Sequence, residues 1–81
     1  MTVFAMKSEE DWKNEAKRIF RAEMMRRGVT YERLVDLLRD IGVEESIPNL
    51  KNKVSRGKFD FTFVLKCMTA MQVRKIAIVP E

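Results

Sequence analysis

Histidine is absent from the 81 residues, and cysteine occurs once, as Cys67. Without an imidazole there is no Ser-His-Asp triad and no His metal ligand, which removes most small-enzyme and zinc-module readings. One cysteine cannot form an internal disulfide framework, and it suits a reducing compartment. Long apolar runs are missing too: nowhere do eighteen apolar residues follow one another, so no segment spans a bilayer. Val3-Phe4-Ala5-Met6 is far shorter than a signal-peptide core, and acidic residues follow it closely. Together these absences lead us to expect a cytoplasmic chain that is not an enzyme. Neither metal, cofactor, small-molecule substrate nor membrane partner is expected.

What is present is a balance of apolar and charged residues. Hydrophobic residues make up 46% and charged residues 35%, the composition of a single compact domain rather than a disordered tail. Sixteen Lys and Arg against twelve Asp and Glu leave a net charge of +4, a mild basic excess that favours a polyanionic partner.

Gly28, Gly42 and Gly57 each follow a stretch of helical periodicity and divide the chain into four helical candidates. The first runs from Glu9 to Arg27, with Ser8 as N-cap and Glu9, Glu10 and Asp11 at the positive end of its dipole. Trp12, Ala16, Ile19, Phe20 and Met24 share one face, with Trp12 and Phe20 expected as core anchors. The second runs from Tyr31 to Ile41 after Thr30, with a broad apolar face of Leu34, Val35, Leu37, Leu38 and Ile41. The third starts near Ser46 and ends before Gly57, with Pro48 in its first turn, where a missing N–H is harmless. The fourth runs from Phe61 to Val73 after Asp60; it is apolar on two sides and is expected to be buried on most of them. Beyond it, Lys75 to Val79 is short and β-branched and reads as a strand or extended arm, with Thr2 to Met6 of similar character.

The third candidate carries the distinctive chemistry. Ile47, Leu50 and Val54 make only a narrow apolar stripe, while Asn49, Asn52, Lys53 and Arg56 occupy the other side. Asn pairs bidentately with adenine, Arg and Lys with guanine, and cations also neutralise phosphates. The second and third helices together describe a helix-turn-helix candidate. The plain alternative is an ordinary solvated helix face.

The stretch from Lys17 to Val73 resembles the Cro/CI-type (lambda-repressor-like) helix-turn-helix domains of phage and bacterial repressors. RRGVTYERL resembles their junction between the first two helices, NLKNKVSRGK the end of their recognition helix, and FTFVLKCMTAMQV their last helix. The chain is also similar to a family of short bacterial domains of unknown function that share the RRGVTYERL…NLKNKVSRG frame. It departs from the repressor pattern in a longer second helix, a longer acidic joint at Val43-Glu44-Glu45, and Gln72 in place of a glycine.

The expected fold is therefore all-α, a four- to five-helix bundle containing a helix-turn-helix, with short extended or β-like termini. Residues 1–8 form an N-terminal arm, 9–73 the helix-turn-helix domain and 74–81 a C-terminal arm. The resemblance and the third helix together imply sequence-specific binding of duplex DNA by a homodimeric transcriptional regulator, a repressor. Ser46, Asn49, Lys51, Asn52, Lys53, Arg56 and Lys58 are the candidate DNA contacts. Phe63, Cys67, Ile76, Ile78 and Val79 are the candidate dimer contacts, from the apolar surplus of the last helix and the arm. The alternative is a protein-interaction module that keeps the same frame, favoured by the carboxylates of Glu44 and Glu45.

Other residues invite simpler readings. Glu23 falls within the apolar face of the first helix and should pair with a neighbouring Arg or Lys; an isolated buried acid is the alternative. Asp36 and Asp40 read as a solvated face rather than a cation site. Cys67 reads as core packing, with redox sensing as the alternative, and most of the six methionines sit at core spacing.

Overall fold

Each helix of the domain begins at a side chain that accepts a backbone N–H its own turn leaves unpaired. The computed structural model describes residues 7–79, and within them four helices follow one another: α1 Glu9–Arg26, α2 Tyr31–Asp40, α3 Ile47–Arg56 and α4 Phe61–Ala70. Ser8 and Asp11 form a reciprocal capping box, with each backbone N–H donating to the other's side chain, at 3.1 and 3.2 Å. Thr30 accepts from the N–H of Arg33, Ser46 from that of Asn49 and Asp60 from that of Phe63, at 3.1, 3.2 and 2.8 Å. Ser8, Thr30 and Asp60 are the caps expected from the sequence, and Ser46 caps the third helix at the place where it is expected to start.

Three helices close in the same way. The N–H groups of Val29, Val43 and Val73 reach back to the carbonyls of Met24, Leu38 and Met68 at 2.8–2.9 Å. The residue before each valine, Gly28, Gly42 or Gln72, bonds to the carbonyl three residues back at 2.9–3.1 Å and adopts a positive φ. This is the Schellman arrangement, and its apolar pair (valine against Met or Leu) recurs each time. Gln72 is the outlier: at φ 60 it holds a left-handed conformation that costs an L-residue roughly 1–2 kcal/mol. Gln72→Gly removes that cost but frees the unfolded chain, so a net gain of about 0.5–1 kcal/mol is expected in urea unfolding. A loss of stability would show that the Gln72 side chain makes a contact worth more than the strain.

α1 packs on α3, α3 on α2 and α2 on α4. Phe20, Leu34, Leu38, Leu50, Val54 and Cys67 fill the centre with almost no exposed surface. Phe20 of α1, Phe59 of the α3–α4 joint and Phe63 of α4 meet with ring centroids 5.4–5.8 Å apart, closing the bundle across its ends.

Several expectations fail here, for reasons of neighbourhood. Trp12 is not a core anchor: it is 49% exposed, with the ammonium of Lys7 over its ring at 4.9 Å. The backbone of α1 meets the end of α3 at the next residue, Lys13 beside Gly57, but the Trp12 ring is left outside that contact. Met25 and Ile41, at the far ends of α1 and α2, are likewise exposed, while Met24, Met68 and Met71 are in the core. α4 is not buried on most sides: it stands last in the packing order, and Phe61 and Leu65 remain exposed on its outer side. Among the described residues there is no strand; the arm leaves α4 without regular structure, Ile76 half-buried and Ile78 and Val79 exposed. Thr2 to Met6, the other segment of strand character, lies outside the described residues. Among the described residues no helix is long and apolar enough to cross a membrane.

Candidate functional site

α3 owes its orientation to two residues. Leu50 and Val54 have no exposed surface, and Ile47 packs half-buried beside them against α1 and α2. At about 100° per residue this stripe fixes the direction of every other side chain on the helix. Asn52 lies nearly opposite, Asn49 and Arg56 lie about 40–60° round from it on the same side, one turn before and one turn after, and all three are exposed.

Ser46 stands at the helix entrance; its hydroxyl accepts the N–H of Asn49 and keeps its own proton to donate outward. Lys51 is exposed beside a shallow groove bordered by Arg21, Met25, Tyr31 and Glu32. Lys58 is exposed just beyond the left-handed Gly57. No acidic residue occurs in α3, and among the described residues no carboxylate lies within ion-pair reach of Lys51, Arg56 or Lys58. Six of the seven candidate contacts are therefore exposed amides, a hydroxyl and cations, with Lys51 on the opposite flank of α3 from Asn49 and Arg56.

Lys53 is the exception. It sits on the flank of α3, its ammonium 2.7 Å from Oε2 of Glu45 and 4.8 Å from the centre of the Phe63 ring. The Glu45 side chain is only 11% exposed and that of Lys53 43%. This pair ties the α2–α3 connection, residues 41–46, to α3 over eight residues, and no helical or strand spacing announces it. Arg21, which adds a cation beside Lys51, also escaped sequence reasoning, because only the packing of α1 on α3 brings them near.

Two of the five candidate dimer contacts are corrected. Phe63 and Cys67 belong to the core of a single chain, at 7% and 0% exposure, and cannot be offered to a second copy. Phe63 stacks on Phe20 and meets Phe59, and Cys67 lies wholly inside the core. Ile78 and Val79 are exposed, and Ile76 is half-buried. Burial pushes the Cys67 thiol up to about 12, so at neutral pH it is a protonated core group rather than a reactive thiolate.

Glu23, 3% exposed, pairs with Arg26 and lies 3.9 Å from Arg27, as expected of a carboxylate on an apolar face; its Oε1 has no hydrogen-bond partner. Asp36 meets Arg39 on the surface at 3.1 Å. Among the described residues no three metal-ligating side chains gather.

A family model described as a domain of unknown function, DUF6471, matches residues 12–76, from the first turn of α1 through the whole of α4 to Ile76. No curated protein and no solved structure matches the chain.

Proposed function

We propose a DNA-binding role for this chain, which belongs to the DUF6471 family: it reads duplex sequence with α3 and acts as a transcriptional repressor. The observation that supports this reading is the outward face of α3, where Asn49, Asn52 and Arg56 stand exposed on a helix with no acidic residue. Cations could serve any polyanion. Uncharged amides beside an unpaired guanidinium, on the side opposite the buried stripe, suit base edges in the major groove. Ser46, Lys51 and Lys58 flank that face as donors to phosphate oxygens. The packing of α2 on α3 through a short connection is compatible with the Cro/CI-type helix-turn-helix, α3 being the recognition helix.

The reading includes a homodimer. Phe61, Leu65, Ile78 and Val79 are large apolar side chains left exposed on α4 and the arm. Phe61 and Ile78 border one apolar groove with Ile19 and Val64, and a second copy would remove this surface from water. A symmetric pair would present two copies of α3 to a two-fold related site, and occupancy of that site would block transcription.

Fluorescence-polarisation titration against random duplex at two salt concentrations tests the reading. Weak binding that falls steeply with salt is expected, together with tighter binding to duplexes selected from a random pool. Sedimentation should show a dimer that Phe61→Asp dissociates. Absence of duplex binding at low salt would turn the same surface over to an acidic protein partner.

A further inference from the structure

We propose that Glu45 is an intramolecular stand-in for DNA phosphate, which holds Lys53 in reserve and so lowers the affinity of the domain for every duplex alike. The inference rests on the DNA-binding reading above and deepens it. A carboxylate and a phosphodiester offer an ammonium the same thing, an anionic oxygen; the ammonium has donors to spare, but Glu45 at 2.7 Å already offsets its charge and would repel a phosphate brought to the same group.

The geometry favours competition over a permanent structural bridge. The acid is fixed, its side chain 11% exposed in the connection before α3, whereas the base keeps 43% of its side chain in water. Lys53 follows Asn52 directly and lies one turn before Gly57, on the flank of the face assigned to DNA. The ring of Phe63 beneath the ammonium gives the retracted position a second favourable contact. Among the described residues the other cations of α3, Lys51 and Arg56, have no such clasp. The same pair accounts for an acidic joint beside a DNA surface: the charge of Glu45 is occupied within the domain.

The experiment is a double-mutant cycle on Glu45 and Lys53, read as affinity for random duplex across a salt series. Glu45→Gln should bind roughly three- to tenfold tighter at low salt, with a salt slope steeper by about 0.9, the signature of one added phosphate contact. The gain should be equal on selected and scrambled duplexes. It should vanish in a Lys53→Met background, which separates a released lysine from the mere removal of a negative charge. Lys53→Met alone should change affinity and slope little, whereas Lys58→Ala should flatten the slope by about one unit. Lys53→Met leaves Glu45 in place, so it tests the idea even if Glu45→Gln fails to fold, which thermal melting would reveal. No gain in folded Glu45→Gln, a gain that persists with Lys53→Met, or a loss of slope in Lys53→Met alone would each overturn the proposal while leaving DNA binding intact. Failure of the native protein to bind any duplex would instead overturn both, before a variant is made.

Discussion

Gly57→Ala is expected to destabilise the domain by roughly 3 kcal/mol, the sum of a left-handed conformation and a backbone collision. At φ 65 the residue already excludes most side chains. A Cβ placed there would stand 2.2 Å from the carbonyl oxygen of Lys13 and 2.9 Å from its carbon, inside any tolerable contact. The obstacle is backbone of α1, which cannot swing aside as a side chain tip could, so α1 and the end of α3 would have to separate. For a domain of this size each kcal/mol lowers the melting temperature by about 4–8 °C, so a fall of about 12 °C or more is expected. Gly28→Ala and Gly42→Ala are internal controls. Both have positive φ but no atom within 4 Å of the added carbon, so only the conformational cost of roughly 1–2 kcal/mol applies. Far-UV circular dichroism of the three variants in a urea series makes the comparison. If Gly57→Ala melts with the other two, α1 and α3 are not in the close approach described.

The second large effect concerns base reading. Asn52 and Arg56 occupy the outward face of α3, and each good bidentate base contact contributes roughly 1–3 kcal/mol of discrimination. Asn52→Ala or Arg56→Ala should therefore cost about ten- to a hundredfold on a selected duplex and much less on a scrambled one. On the proposed DNA-binding reading Lys58, beyond the Gly57 turn, reaches phosphate only, so Lys58→Ala should weaken both duplexes equally. Fluorescence polarisation with the paired duplexes separates the cases. Equal losses on both duplexes for Asn52→Ala would remove its base-reading role and favour an acidic protein as the partner.

These predictions draw on different parts of the chain's information. The helix ends are legible because they are local. Ser8, Thr30, Ser46 and Asp60 each satisfy an amide three residues away, and the Gly-Val pairs at 28–29 and 42–43 close their helices within one turn. Gln72-Val73 closes α4 by the same bonds, so the motif tolerates a residue that composition alone would not place there. The stripe of α3 is legible for the same reason: with Leu50 and Val54 inward, the helical repeat leaves Asn52 outward whatever surrounds it.

Tertiary structure decided which apolar faces found a neighbour and which charges met. Trp12 and Phe61 have core chemistry at core spacing, yet both are left exposed. Phe63 and Cys67 share α4 with Phe61 and Leu65 but point into the domain, so a dimer surface assigned from apolar surplus mixed two sides of one helix. Lys53 carries the same charge as Lys51, and only the path of residues 41–46 brings Glu45 to one and not the other. Periodicity states which residues share a side of a helix, because a helix turns by a constant angle. It does not state what lies across from that side, because that depends on the lengths and packing order of elements distant in the chain.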